Sequence, residues 1–375
     1  MFSSSRRRGV LAGISLAAAV AALTACSGGA GAVTKSSDPV EVPGASSEVN
    51  AYLNELYDRA FEDDKTEIVI YGPSVSTSKP MFDAFSERFP GITVLPQDAP
   101  DSQTLTKLEA EAQTGSRVAD LFTGGGPTTA QAAAEPGICT NAEIKTAPAD
   151  FEVPYANDGR LLPFAYRYFT FIYNTDAVDE AEAPKTWEEL LDPKWTGKLV
   201  IGDPTVAGGL RYLLAGLQAP EAEDEFGEAY LRKLIEQDLV IGTSESAVPA
   251  DVAAGRGDVG IGVFSGYYAV QKAKGAPLGI VFPLEDGGNF LTTSSVCYIE
   301  DAPHADAALL YLNWLFTEEG QETLAEVDGS YGILPGSPGP LGAPAFDSLE
   351  RLPFSNPDPE FNKPYFAVVD ELFKK

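Results

Sequence analysis

Residues 68–85, IVIYGPSVSTSKPMFDAF, contain the pattern that decides the fold. The apolar run IVIY (68–71) stops at Gly72-Pro73, which predicts a short buried β-strand followed by a turn. After Pro80, apolar residues recur at helical spacing: Met81, Phe82, Phe85 and Phe89. Residues 74–78 between the two elements are almost all Ser or Thr. The stretch therefore predicts a strand, a hydroxyl-rich turn and a helix.

Further strands and helices alternate along the chain on the same plan. Apolar runs at 91–95, 118–122, 198–201, 258–264 and 279–283 predict strands, and amphipathic segments lie between them. Alternation of this kind predicts an α/β fold with open, mostly parallel sheets flanked by helices. The two aromatic, extended segments 163–174 and 289–300 are candidate crossings between two lobes, and two crossing strands form a natural hinge.

The length of the chain supports a division into two lobes. Without residues 1–25 the chain has about 350 residues, more than one hydrophobic core usually serves. We predict lobe 1 from residues 47–162 together with about 284–340, and lobe 2 from residues 163–283. A C-terminal helical segment, 341–375, is expected to pack on the lobes.

Four turns follow predicted strands and are rich in small or hydroxyl residues: 73–78, 123–127, 202–209 and 264–268. In open α/β sheets, ligands bind where the carboxyl ends of strands meet helix N-termini, whose free N–H groups attract anions. Local helix capping is the alternative explanation for any single turn. The candidate ligand-binding residues are Ser74, Ser76, Thr77, Thr123, Gly124, Gly125, Asp203, Thr205, Ser265, Tyr267 and Tyr268.

The adjacent Tyr267 and Tyr268 are also candidate metal ligands, because phenolate oxygen suits ferric iron. Packing of two aromatic side chains at a helix start is the alternative. The remaining candidates for chemistry are few. The single histidine, His304, is expected to be a surface or capping residue, and a Ser-His-Asp hydrolase is disfavoured.

The N-terminus reads as an export signal. Arg6, Arg7 and Arg8 precede an apolar stretch from Val10 to Leu23, which is too short for a permanent membrane span. Residues 23–26, Leu-Thr-Ala-Cys, resemble a bacterial lipobox, which implies cleavage after residue 25 and lipidation of Cys26. An ordinary signal with a chance cysteine is the alternative, and either Sec or twin-arginine export is open. Residues 26–46 are Gly-, Ser- and Pro-rich and predict a flexible tether.

Charge and cysteine content limit the partners. The formal net charge is −29, and removal of the three N-terminal arginines makes it about −32, which disfavours binding to nucleic acid. Cys139 and Cys297 remain after Cys26. In an oxidising compartment they either form a disulfide or stay as buried thiols.

Several stretches resemble the solute-binding proteins of bacterial ABC importers, in the ferric-iron-type, or family 1, group. They are LYDRAFEDDKTEIVIYGP, KTWEELLDPKWTGKLVIGDP, VAAGRGDVGIGV, and LNWLFTEEGQETLAEV followed by YGILPG. The resemblance spans residues 50–335. It implies a type II periplasmic-binding-protein fold, two lobes that close on a solute, and delivery to a membrane permease, without catalysis. A monomer on the outer face of the cytoplasmic membrane is expected, with no cofactor other than ferric iron as cargo.

The resemblance leaves the solute open. Iron binders of this group often place adjacent tyrosines near the position of Tyr267 and Tyr268, and add a histidine or tyrosine after the first strand. Here residues 73–76 are Pro-Ser-Val-Ser, as in relatives that bind phosphonates or sugar phosphates. We expect a phosphate- or phosphonate-type anion, or ferric iron with a synergistic anion. A surface hydrolase on this scaffold and a sensor or adhesion lipoprotein are the alternatives.

Overall fold

The structure is a computed structural model that describes residues 34–62, 64–125, 127–206, 208–220, 222, 226–283, 291–346 and 359–374. The predicted signal segment and Cys26 lie outside these residues. Within them, no helix combines the length and the apolar character needed to cross a bilayer.

The strands are β1 (Glu67–Gly72), β2 (Thr93–Asp98), β3 (Leu121–Gly125), β4 (Cys139–Thr140), β5 (Leu162–Asn174), β6 (Leu199–Ile201), β7 (Val240–Ile241), β8 (Val259–Phe264), β9 (Leu278–Val281), β10 (Leu291–Ile299) and β11 (Tyr331–Gly332). The α-helices are α1 (Ser47–Glu62), α2 (Lys79–Arg88), α3 (Asp101–Thr114), α4 (Pro127–Ala134), α5 (Gly209–Gly216), α6 (Gly227–Ile235), α7 (Val248–Ala253), α8 (Ser265–Ala273), α9 (Ala305–Leu315), α10 (Glu318–Thr323) and α11 (Pro359–Phe373). Short 3₁₀ turns occupy Val75–Ser78, Glu180–Glu182, Glu189–Leu191, Pro193–Trp195, Glu245–Ala247 and Pro340–Gly342, and a π-turn occupies Leu324–Asp328.

Lobe 1 is built on a mixed sheet in the order β2-β1-β3-β10-β5. Strands β1, β2 and β3 are parallel, whereas β10 runs antiparallel to both β3 and β5. Strand β1 is buried from Ile68 to Gly72, as its unbroken apolar run predicts for a strand covered on both faces. Aromatic and aliphatic side chains of α1, α2 and α9 fill one side, including Phe85, Phe89 and Trp314.

Lobe 2 has its own sheet, in the order β5-β8-β6-β7, with β9 paired to β5. Its main core contains Trp187 together with Leu213 of α5 and Leu231 of α6. A smaller cluster on the other face of the sheet includes Val248, Val252 and Tyr268. Each lobe is thus a sheet between layers of helices, and the predicted two-lobe α/β fold is confirmed.

The long strand β5 belongs to both sheets. Its first half, up to Tyr168, pairs with β10, and its second half, from Phe169, pairs with β8 and β9. The sequence-based crossing at 163–174 therefore corresponds to a strand that leaves one lobe and enters the other. The return path between β9 and β10 runs through residues 284–290, outside the described residues, and β10 itself pairs within lobe 1.

Part of the predicted tether is ordered against lobe 1. Val40 and Val42 are 7% and 2% exposed, and their amides donate to the side chains of Asn54 and Asn50 on α1. Residues 34–46 therefore differ from the flexible segment that their composition predicts, because two valines and two asparagine partners anchor them. At the other end of the chain, α11 packs on α5 and α6 of lobe 2.

Cys139 of β4 and Cys297 of β10 are joined in a disulfide, with their Cα atoms 5.6 Å apart. Both residues are buried on the side of the lobe 1 sheet that faces α3 and α4. The bond closes a loop with a sequence separation of 158, which contains the lobe 2 sheet and helices α5 to α8 but not α11.

Candidate functional site

A cavity of about 380 Å³ lies between the two lobes and is lined by residues from both. Its polar lining comprises Ser74, Ser78, Thr123, Gly124, Arg167, Asp203, Ser244, Glu245, Ser246, Tyr267, Thr292, Ser294 and Asp328. Most of the remaining lining is aliphatic or aromatic, with Phe82, Phe164, Tyr212 and Phe264 among the larger side chains. We refer to this cavity as the cleft.

The hydroxyl-rich turn after β1 forms part of the lobe 1 wall. Ser74 has the left-handed φ of 53° where the chain leaves the strand, and it lines the cleft together with Tyr267 of lobe 2. Ser78 donates to the carboxylate of Asp328, which lies at the end of the π-turn. A Cβ at Gly72 would lie 2.2 Å from the carbonyl oxygen of Thr123, so only glycine lets the two strand ends approach this closely.

The remaining lobe 1 candidates lie at the end of β3. Thr123 and Gly124 line the cleft, and the Thr123 hydroxyl is 3.4 Å from the carbonyl oxygen of Ser295. Gly125 ends the strand opposite Ser294.

In lobe 2, the turns after β6 and β7 face the cleft. Asp203 accepts hydrogen bonds from the amide and the hydroxyl of Thr205, at 2.9 and 2.6 Å. Thr205 therefore supports Asp203 and is not itself among the lining residues. Ser244, Glu245 and Ser246 follow β7 and add two hydroxyls and a carboxyl that we did not predict from the sequence.

Arg167 is the cation of the site. It lies in the crossing strand β5, opposite Thr292 of β10, and among the described residues that line the cleft it is the only Lys, Arg or His. Its guanidinium centre is 5.9 Å from the Phe264 ring centroid, and its Nη2 atom is 3.9 Å from Oδ2 of Asp328. The sequence signal was available, since Arg167 is the one charged residue in the aromatic run 163–174.

Glu245 is a half-buried acid at the lobe 2 wall. Its Oε2 atom accepts a hydrogen bond from the amide of Leu210, near the start of α5, at 3.2 Å. Burial raises the pKa of Glu245 to about 8, outweighing the backbone amides and the nearby charge of Arg167, which act to lower it. The other carboxyl oxygen of Glu245, Oε1, is buried without a hydrogen-bond partner among the described residues, which suits a neutral carboxyl better than an anion.

Tyr267 and Tyr268 point in different directions from α8, because consecutive helical residues are about 100° apart. Tyr267 lines the cleft, and burial raises its pKa. Tyr268 is 8% exposed, packs in the cluster that contains Ile172 and Val248, and its hydroxyl is 3.5 Å from the carbonyl oxygen of Leu278. The structure brings Tyr267 to the cleft with the other candidates, but not Tyr268.

The other predicted residues make structural contacts close to the cleft. The Ser76 hydroxyl donates to Asp98 at the end of β2, and the Thr77 hydroxyl donates to the carbonyl oxygen of Ser74 at 2.7 Å. The Ser265 hydroxyl donates to the carbonyl oxygen of Gly329 in lobe 1. The single histidine, His304, interacts with the buried carboxylate of Asp120 and is not among the residues that line the cleft.

Within the described part of the chain there is no group of three or more His, Cys, Asp or Glu residues placed to hold a metal ion. A metal at the cleft would depend on Tyr267 together with the separate carboxylates of Asp203 and Asp328. Besides these carboxylates, the lining offers several hydroxyls and the Arg167 guanidinium, which are the donors that suit an oxygen-rich anion.

Comparisons with known proteins agree with this architecture. A family profile described as "Bacterial extracellular solute-binding protein" matches residues 80–347. An uncharacterized protein of Haemophilus influenzae is 30% identical over 272 residues, which cover 70% of this chain and 76% of that protein. A putative 2-aminoethylphosphonate-binding periplasmic protein of Salmonella typhimurium is 28% identical over 257 residues, covering 67% of this chain and 72% of that protein.

The crystal structure of iron-bound HitA from Pseudomonas aeruginosa superposes with a TM-score of 0.64. The match is 19% identical in sequence and covers 82% of this chain and 99% of HitA, which shows a shared fold. The family profile matches most of the chain, the H. influenzae relative aligns over 70% of it, and the fold has two lobes around a cleft. The chain therefore belongs to the family of bacterial extracellular solute-binding proteins.

Proposed function

We propose that the protein captures a small organic anion with a phosphonate- or phosphate-type head group and delivers it to an ABC import permease. The observation that carries this proposal is the guanidinium of Arg167, which lines the cleft between the lobes. Guanidinium groups bind such oxyanions through paired, charge-assisted hydrogen bonds.

The surroundings of Arg167 support an oxyanion with an organic part. The hydroxyls of Ser74, Ser78 and Thr123 supply donors from lobe 1, and those of Ser244, Ser246 and Tyr267 supply donors from lobe 2. The aromatic and aliphatic lining leaves a largely apolar surface for the carbon skeleton of the solute. Because donors come from both lobes, a solute that contacts both stabilises the closed state.

Ferric iron fits this cleft less well. The adjacent tyrosines were the sequence-based reason to consider it, and one of them, Tyr268, is directed into the core of lobe 2. The similarity to a putative 2-aminoethylphosphonate-binding protein supports the organic anion. Solute binding without turnover is the expected activity of this cleft.

Calorimetric titration of the purified protein tests the proposal. The panel is 2-aminoethylphosphonate, fructose 6-phosphate, inorganic phosphate and ferric citrate. We expect a phosphonate or phosphate ester to bind, and Arg167→Gln to weaken it about 10- to 100-fold, the value of a charge-assisted hydrogen bond.

Arg256→Gln is the matched control, because Arg256 is a lobe 2 arginine whose side chain is 48% exposed and does not line the cleft. Binding of ferric citrate alone, or equal affinity in wild type and Arg167→Gln, would contradict the assignment.

Lipid anchoring through Cys26 is the proposed mode of attachment outside the cytoplasm. Cells grown with labelled palmitate should label the wild-type protein and not the Cys26→Ser variant. Labelling that survives the substitution would disprove anchoring at this residue.

A further inference from the structure

The C-terminal helix α11 packs on lobe 2 beside the cleft, although the family match ends at residue 347. Val369 and Phe373 are 0% and 6% exposed and belong to the main core of lobe 2. The amide side chain of Gln218 also reaches the carbonyl oxygen of Tyr365, at 3.4 Å. The helix is therefore an integral part of this lobe.

One arginine connects α11 to the wall of the cleft. Arg211 of α5 makes a two-pronged ion pair with Asp370, with distances of 2.7 Å (Nη1–Oδ1) and 2.9 Å (Nη2–Oδ2). The same Nη1 donates to the carbonyl oxygens of Pro204 and Thr205, at 3.2 and 3.4 Å. Those two residues lie between Asp203 and Val206, both of which line the cleft.

A ring contact adds a second link. Tyr212, which lines the cleft, meets Phe366 of α11 edge to face with centroids 5.0 Å apart. The Arg211 guanidinium also lies 4.7 Å from the centroid of the Phe366 ring. Two successive residues of α5 thus contact α11 on one side and the cleft wall on the other.

The ion pair is what keeps Arg211 in this position. Its side chain is only 15% exposed, and a mostly buried guanidinium needs a partner charge. The hydrogen bond from Arg211 lowers the pKa of Asp370, so the carboxylate is ionised over the physiological range. Without that charge, turning outward to water becomes favourable for Arg211, and the carbonyl oxygens of Pro204 and Thr205 lose their donor.

We propose that α11 positions the ligand site: Asp370 holds Arg211, and Arg211 holds the 203–206 turn in the geometry with which Asp203 and Val206 line the cleft. This role rests on the proposed function, because the cleft must be the ligand site for the turn to matter. Arg211 and Asp370 are positioning residues and do not contact the solute.

Amide hydrogen exchange, measured without any solute, tests whether Asp370 and Arg211 hold the 203–206 turn. The amide of Thr205 donates to Oδ1 of Asp203 at 2.9 Å, and the amide of Val206 donates to the carbonyl oxygen of Asp203 at 3.3 Å, so both report on the turn. In Asp370→Asn, and likewise in Arg211→Lys, we expect these two amides to exchange about 10-fold faster, a change of about 1.4 kcal/mol in local opening. Asp370→Glu should restore most of the protection.

The matched control is Glu371→Gln. Glu371 is the next residue on α11, its side chain is 72% exposed, and it contacts Arg232 at 3.6 Å away from the cleft. Circular dichroism and thermal melting should show all variants folded. Unchanged exchange of residues 205–206 in Asp370→Asn, or the same increase in Glu371→Gln, would overturn the proposal.

Titration with 2-aminoethylphosphonate, fructose 6-phosphate and inorganic phosphate tests whether the position of the turn affects solute binding. Asp370→Asn should bind the solute that wild type binds about 3- to 10-fold more weakly, while Glu371→Gln keeps wild-type affinity. Faster exchange with unchanged affinity would overturn the link to the ligand. If wild type binds none of these solutes, the proposed function fails, and the exchange measurement alone decides whether α11 positions the turn.

Discussion

Tyr267 and Tyr268 are adjacent in sequence but serve different parts of the molecule. Tyr267 lines the cleft, whereas Tyr268 packs in the core of lobe 2. Two adjacent tyrosines on a helix point in different directions, so only one of them can face a given ligand site. A tyrosine pair in a sequence is therefore not sufficient to predict a phenolate metal site.

The two tyrosines should respond differently to loss of the hydroxyl. We expect Tyr267→Phe to weaken binding of the organic anion about 3- to 10-fold, the effect of one neutral hydrogen bond, and Tyr268→Phe to leave affinity unchanged. Titration calorimetry on both variants measures this, with melting temperatures as the folding control. Loss of ferric citrate binding in both variants would instead favour iron as the solute.

Glu245 should make the stability of the fold depend on pH. Its pKa is about 8 in the folded protein and close to the ordinary value of 4.5 once unfolded. Between these values the folded state binds more protons, so the free energy of unfolding falls as pH rises, by at most about 1.4 kcal/mol per pH unit. Below pH 4.5 and above pH 8 this contribution to the slope disappears.

Glu245→Gln removes this titration while keeping a neutral side chain of similar size. Urea unfolding of both proteins from pH 5 to 9 should show the variant gaining stability relative to wild type as pH increases. A difference in unfolding free energy between the two proteins that stays constant across this pH range would mean that Glu245 is ionised throughout in the folded protein.

At the scale of elements, local patterns predicted most of the architecture. The apolar run 68–71, the helix after Pro80 and the aromatic crossing strand at 163–174 were visible because each depends on neighbours within one element. The hydroxyl-rich turns are also predictable, because Gly, Ser and Thr are common where strands end and helices begin. Five of the residues predicted from these turns line the cleft: Ser74, Thr123, Gly124, Asp203 and Tyr267.

The missed residues depend on long-range packing. Arg167, Glu245 and Asp328 come from a strand, a turn and a π-turn that are far apart in sequence, and all three line the cleft. No local pattern distinguishes Glu245 and Asp328 from the other acids among the 55 Asp and Glu residues of this chain. Arg167 alone has a local signal, because it is a single charge within an aromatic strand.

The disulfide links elements on either side of lobe 2 in sequence. Because it closes a loop with a sequence separation of 158, chain-entropy arguments give a stabilisation of roughly 5 kcal/mol. We expect reduction with a phosphine, or the double Cys139→Ser/Cys297→Ser change, to lower the urea midpoint by a corresponding amount. Solute affinity should change little in folded protein, since neither cysteine lines the cleft. A midpoint insensitive to reduction would show that packing alone holds β4 on β10.

On the scale of the whole molecule, the lobes meet at the start of α8. Ser265 of lobe 2 donates to the carbonyl oxygen of Gly329 in lobe 1, and a Cβ at Gly266 would lie 2.4 Å from the carbonyl oxygen of Asp328. This backbone contact lies beside Arg167 and Tyr267, so closure of the lobes and formation of the ligand site share one junction. The close approach also explains why the residue before the tyrosine pair is glycine.

Gly266→Ala should therefore favour the open arrangement of the lobes. The added methyl group cannot fit against a backbone oxygen at 2.4 Å, so the two lobes must separate there, while alanine is itself well suited to a helix. We expect a larger radius of gyration in small-angle scattering and about 10-fold weaker binding of the organic anion, with a melting temperature near that of wild type. Ala273→Ser, a one-atom enlargement at the exposed end of the same helix, is the control and should leave both measurements unchanged. Wild-type scattering and affinity in Gly266→Ala would show that this junction does not limit closure, and the hinge would have to act elsewhere.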